Sequence, residues 1–209
     1  MVIKKALTVA NIQCQNIKRI PFEGAFYQAY RQPQNKGVWL VWGASSSGKS
    51  SYTMQLAKEL AKNYKVLYNL LEEETDDSDF IERTTMFDMH EVKDNFLVAK
   101  YTLEELNVYL KKRNPPKVII IDSATYFFKN FAEYKAFKEA NKNRIIIITA
   151  HAQGSNPRSE LEKDIQYDAK QKVFVNAYQA VCKGRTIGPN GGLFIVWQEG
   201  YDKARGATE

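Results

Sequence analysis

One stretch of the sequence has the residue types and spacing for phosphate chemistry. Gly43–Ser50 reads G-A-S-S-S-G-K-S and satisfies G-x-x-x-x-G-K-[ST] at every fixed position. Glycines let the backbone curl closely around phosphate oxygens. Successive N–H groups running into a helix N-terminus form a concave anion site. The pattern assigns Gly43, Ala44, Ser45, Ser46, Ser47, Gly48, Lys49, Ser50 and Ser51 to the phosphate-binding segment. Within it, the Lys49 ammonium is expected on the β and γ phosphates and the Ser50 hydroxyl on Mg2+. Ser45–Ser47 are expected to do little beyond staying small.

Carboxylates are needed beside such a loop. Lys117–Asp122, KVIIID, is an apolar run that ends in an acid and is followed by Ser123. A carboxylate at the C-terminal end of a neighbouring strand is positioned to hold Mg2+, so Asp122 is the expected second metal residue. Lys65–Leu71, KVLYNLL, runs into Glu72, Glu73 and Glu74. An acid there can activate a water against the γ-phosphate. Three in a row leave open which one does so, and no more than one is required. The guanine-reading pattern [NT]KxD is not matched. Its nearest approach, Asn141–Arg144, has arginine where the acid belongs, which argues against a GTPase.

These residues must be held by a sheet. Apolar runs alternate with helical periodicity: strands at 38–42, 65–71, 95–99, 115–122 and 144–150, with helices at 49–63, 79–87, 102–113 and 127–143. Thr102 and Glu105 form a capping-box pattern. Phe127, Phe131 and Tyr134 recur at helical spacing and read as a packing face rather than a base-stacking surface. Residues 151–164 read as a loop. After it, 170–185 and 191–197 read as consecutive strands with short turns. The expected fold class is α/β: a doubly wound, mostly parallel sheet with a C-terminal antiparallel β extension. The expected organisation is an arm over 1–36 packing on the core or on a neighbour, a core over 37–200, and a tail over 201–209.

Composition narrows the setting. The chain has 209 residues, 44% hydrophobic, with a formal net charge of +6. That is enough apolar content for a packed core and a balance that suits an anionic partner. Two separated cysteines, Cys14 and Cys182, form no disulfide framework, which points to a reducing cytosol. The N-terminus has no secretory pattern, and no apolar run approaches the roughly 20 residues that span a bilayer, so no membrane partner is expected.

Taken together, "GASSSGKS", "VLYNLLEE", "VIIIDSA", and the pair "IIIITAHAQ" and "AVCKGRTIGPNGG" resemble the RecA-like core ATPases. The resemblance is to the branch containing RadA, KaiC and the DnaB-type helicases, and it spans roughly residues 38–198. It implies an ATP- and Mg2+-dependent hydrolase acting on DNA, with a KaiC-like regulatory ATPase that binds no DNA and a small-molecule phosphate-loop kinase as the alternatives. It favours Glu72 as the catalytic acid, with Glu73 its rival, and makes His151 or Gln153 the residue that senses the γ-phosphate. It places Asn156 and Arg158 in a loop that meets single-stranded DNA. It also makes Lys183 and Arg185 basic fingers acting in trans on a neighbour's nucleotide, and hence implies a homo-oligomer. The chain lacks the family's helicase N-terminal domain and zinc motif. In this it is similar to the core-only RecA-like ATPases of phages and mobile elements, which serve recombination, repair or replication.

Overall fold

The apolar runs become a sheet covered by helices on both faces. The computed structural model describes residues 5–184 and 191–206. In chain order the elements are α1 (Val9–Gln13), α2 (Gly24–Tyr30), β1 (Gly37–Gly43), α3 (Lys49–Ala61), β2 (Val66–Leu70), α4 (Ser78–Met86), a 3-10 turn at Met89–Val92, β3 (Phe96–Ala99), α5 (Leu103–Tyr109) and β4 (Val118–Asp122). They continue with α6 (Ala124–Phe127), α7 (Phe131–Ala140), β5 (Ile145–Gln153), β6 (Asn156–Pro157), α8 (Glu160–Asp168), β7 (Gln171–Asn176), β8 (Gln179–Gly184), β9 (Gly192–Ile195) and α9 (Gln198–Ala204). The sheet order is β3-β2-β4-β5-β1-β7-β8-β9, with β6 paired to β5. From β3 to β7 all neighbours are parallel, while β8 and β9 close the edge antiparallel. This is the expected doubly wound sheet with its C-terminal extension.

Strict alternation along the central strands divides the core into two layers. Trp39, Val41, Ile120, Ile145 and Ile147 pack on one face, against Tyr52, Leu56 and Leu60 of α3. Val38, Leu40, Trp42, Ile119, Ile121, Ile146 and Ile148 pack on the other, against Phe127, Tyr134, Phe137 and Ile165. Strands apolar at every position are required when both faces are buried, as parallel sheets demand. Residues 20–30 join the first layer: Ile20, Phe22, Phe26 and Tyr30 are buried with Trp39, and the Phe26 ring stacks on Phe194 at 4.4 Å. The arm is thus anchored to the chain's own core from Ile20 onward, and α9 crosses residue 200. No helix among the described residues is long and apolar enough to cross a membrane.

Besides the helices α1, α2 and α9, which the sequence reading did not expect, two segments of the core differ from it, both because of caps. The helix expected over 127–143 is broken between α6 and α7. Phe128 is extended, and the Asn130 side chain accepts the Glu133 N–H at 3.0 Å, so a new helix starts there. The loop expected over 151–164 is a hairpin followed by α8. Ser159 and Glu162 form a capping box that starts this helix. The capping box at Thr102 and Glu105 forms as expected, although α5 ends at Tyr109.

The cysteines lie in opposite environments. Cys14 is exposed; Cys182 is buried, facing Tyr30 and Tyr52. Burial pushes the Cys182 thiol up to about 11, against a smaller downward pull from the two tyrosine hydroxyls. The thiolate is the reactive form. At pH 8 a thiol reagent should therefore modify one cysteine per folded chain, Cys14, and reach Cys182 only after denaturant is added. Release of two equivalents without denaturant would contradict this packing.

Candidate functional site

Strand register gathers the chemistry-bearing residues at one edge. Gly43 pairs with His151 on β5 and with Val175 on β7, and Leu70 pairs with Asp122. The C-terminal ends of β1, β2, β4 and β5 therefore meet there, where ligands bind in open parallel sheets. A cleft of about 480 Å3 opens at this edge. It is lined by the loop and first turn of α3 (Ala44, Ser45, Ser46, Gly48, Lys49, Ser50 and Ser51) and by Glu72, Glu73, Arg83, His151 and Tyr178.

The two loop glycines have separate physical reasons. A Cβ on Gly43 would lie 2.5 Å from the Val175 carbonyl oxygen and 2.6 Å from Ser47 Oγ, so no larger residue fits. Gly48 has φ +93°, a left-handed conformation open to glycine at little cost. It caps α3, whose first residue is Lys49. Lys49 is only 8% exposed, and among the described residues its ammonium has no ion-pair or hydrogen-bond partner. Ser47 is buried with its hydroxyl unpartnered, so it shapes the loop from beneath and does not line the cleft.

The three consecutive glutamates have three different partners. Glu74 pairs with Lys100, which takes it to the protein exterior. Glu73 accepts two parallel hydrogen bonds from Arg83, Nη1 to Oε2 and Nη2 to Oε1, each 3.1 Å. Glu72 faces the cleft: its Oε1 lies 2.9 Å from His151 Nε2. That approach lacks hydrogen-bond alignment, and Oε1 is otherwise buried without a partner. The Leu71 and Glu72 N–H groups both donate to the Asp122 carbonyl oxygen, at 2.8 and 3.2 Å, which ties the acidic segment to the end of β4.

Asp122 lies behind the cleft, 4% exposed. Tyr68 donates to its Oδ2 at 2.7 Å and Thr149 to its Oδ1 at 2.5 Å. An ionised carboxylate has about four lone-pair sites, so each oxygen retains capacity after these bonds. The residue beside it, Ser123, is buried with its hydroxyl unpartnered. Hydroxyl and carboxylate oxygens at Ser50 and Asp122 are the donor types that suit Mg2+.

Beyond β5 the expected residues separate. His151 lines the cleft; Gln153 is exposed at the strand tip, paired with Asn156, and does not line it. Asn156 and Arg158 are exposed on the short β5–β6 hairpin, which Trp42 pins by donating Nε1–H to the Ser155 carbonyl at 2.9 Å. Glu162, 1% exposed, latches this region. Its Oε1 accepts the His151 N–H at 3.1 Å and its Oε2 accepts the Ser159 N–H at 2.7 Å. Lys183 is exposed on β8 opposite Lys172, and it does not line its own chain's cleft. Arg185 lies outside the described residues.

Two cleft residues escaped the sequence reading. Arg83 is ten positions beyond Glu73 on a separate helix, a spacing with no periodic signal. Tyr178 occupies the β7–β8 turn with Ala177; both have positive φ, 55° and 47°. Such a turn normally takes Asn or Gly, so two ordinary side chains there are strained. Tyr178 is held by its N–H to the Ser47 carbonyl, 3.1 Å, and by the Val196 N–H to its own carbonyl, 2.8 Å. Its ring packs against Gly48 and edge-on to Trp197 at 5.1 Å.

No protein-family model matches the chain, and no curated protein is similar to it in sequence. Its fold is similar to that of the flagellar accessory protein FlaH from Methanocaldococcus jannaschii. The TM-score is 0.58 at 16% identity, with 86% of this chain and 92% of the other covered. At that identity the likeness speaks for architecture alone, and the architecture is RecA-like.

Proposed function

We propose that the chain binds Mg·ATP across the C-terminal edge of the sheet and hydrolyses it. The observation that carries this reading is Lys49, which lines the cleft beside a cradle of backbone amides and has no protein anion paired with it among the described residues. An unpaired ammonium set among converging backbone N–H groups at a helix N-terminus makes a site for an anionic ligand. Lys49 and the loop amides hold the β and γ phosphates. Ser50 and Asp122 would hold Mg2+, which when bound neutralises charge on the phosphate oxygens. Glu72 accepts the proton of the attacking water, since Glu73 and Glu74 are committed to Arg83 and Lys100. His151, beside Glu72, responds to the γ-phosphate. Lys183 and Arg185 reach the nucleotide of a neighbouring copy, so the working unit is a homo-oligomer.

The polymer acted on is single-stranded DNA, in recombination, repair or replication. The support is the net charge of +6 and the placement of Arg158: its N–H donates to the His151 carbonyl, so the exposed hairpin abuts the γ-phosphate residue. A second reading, an accessory ATPase that binds no DNA, is favoured by the structural likeness to a flagellar accessory protein. Phosphate release measured with and without single-stranded DNA, with oligomeric state in the same buffers, separates them. We expect ATPase activity that rises with DNA, an effect that fades as salt is raised. Turnover indifferent to DNA would reject the DNA role and leave the accessory reading.

A further inference from the structure

We propose that Arg83 is the cleft's own phosphate-stabilising cation, presented from within the chain by Glu73. This rests on the phosphate-cleaving reading and extends it. Besides Lys49, Arg83 is the cation that lines the cleft among the described residues. It projects from α4, whose N-cap is the Asp77 side chain, so a helix of this chain and not a neighbour sets its position.

The geometry suits presentation rather than burial of the charge. A guanidinium has five N–H donors in a rigid plane. Glu73 takes one from each terminal nitrogen, at 3.1 Å. The remaining three have no acceptor among the described residues. The plane is steadied by the Phe80 ring, 5.9 Å from the guanidinium carbon. Burial pulls the guanidinium pKa down, but the hydrogen bonds and charge of Glu73, with the nearby Tyr68 and Asp122, together raise it more, so the group stays cationic. Glu73 would repel a triphosphate in the same cleft. Paired with Arg83 it is neutralised, and the pair turns N–H donors toward the ligand. As the γ-phosphoryl group transfers to water, charge grows on its oxygens and on the leaving oxygen of ADP. A fixed guanidinium stabilises that change most.

The rival role is that Arg83 only neutralises Glu73. Removing both partners decides between the two, because the double variant leaves neither charge unpaired. The full-length chain, R83A, R83K, E73A and R83A/E73A would be compared by phosphate release, by calorimetric affinity for ADP and a non-hydrolysable ATP analogue, and by melting temperature. We expect R83A to lower kcat by about 10²-fold or more. The preference for the ATP analogue over ADP should fall, with ADP affinity little changed. R83K should recover only part of the loss, because it keeps the charge without the fork. R83A/E73A should remain slow. Recovery of wild-type turnover and nucleotide preference in the double variant would overturn the proposal, as would R83A turnover within about twofold of wild type. If R83A alone fails to fold, R83A/E73A carries the test. If the wild-type chain binds nucleotide without cleaving it, the hydrolysis reading fails separately, and the change in ATP-analogue preference still decides the role of Arg83.

Discussion

Replacing Lys49 with alanine is expected to abolish ATP hydrolysis while leaving the fold intact. Lys49 is the first residue of α3, and its ammonium lines the cleft with no partner among the described residues. Its removal therefore breaks no ion pair and orphans no buried carboxylate. In the free protein no partner is left unpaired, so the melting temperature of the nucleotide-free variant should stay close to that of the wild type. The loss falls on the ligand. A lysine that follows the β and γ phosphates contributes both to binding and to the transition state, and losing one preorganised charge at a transferring phosphoryl group costs about 10²–10³ in rate. Two measurements check this. Phosphate release should fall to background, and the rise in melting temperature on adding ATP, which scales with ligand concentration over Kd, should largely vanish. A variant that hydrolyses ATP at the wild-type rate would reject the phosphate assignment of the whole loop.

Glu72→Gln is expected to separate binding from turnover. Glutamine keeps the shape and hydrogen-bonding capacity of the side chain but cannot accept the proton of the attacking water. General-base contributions are worth about 10²–10⁴ in rate, so kcat should fall in that range while nucleotide affinity changes little. The surroundings make the prediction specific. Glu72 Oε1 is buried, with only the poorly aligned His151 nitrogen at 2.9 Å beside it. Glu73 is clamped by Arg83 and Glu74 by Lys100, so neither is a ready substitute. Glu74→Gln should accordingly be nearly silent, since exposed pairs contribute little. Unchanged turnover in Glu72→Gln would move the base elsewhere, with Glu73 the first alternative.

Much of the scaffold was legible because it is encoded locally. Apolar runs such as Val118–Ile121 and Ile145–Ile148 admit few readings other than strands buried on both faces, and their alternation with helical periods leads to a doubly wound sheet. The glycine positions of the Gly43–Ser50 loop were legible for a similar reason. The loop needs glycine at Gly43, where the Val175 carbonyl crowds the backbone, and at Gly48, where φ is positive. Errors arose where a short polar cap was outweighed by the character of the segment around it. Asn130 restarts a helix inside an apolar pattern, and Ser159 with Glu162 starts another in a segment that reads as loop.

The sequence by itself determined which side chains stand at the sheet edge: a G-x-x-x-x-G-K-S loop at Gly43–Ser50, a strand-end acid at Asp122 and an acidic turn at Glu72–Glu74. Only the tertiary structure decided which partners those groups meet. Three adjacent glutamates are chemically alike, and residue type alone does not separate them. What separates them is where Arg83, Lys100 and His151 come to rest, and that depends on α4, on the segment after β3 and on β5. The same holds for Gln153 and His151, two residues apart on one strand, of which only His151 reaches the cleft. Spacing along the chain sets local conformation. The partner of a charged side chain is set by strand order and register, which bring distant residues within a few ångströms.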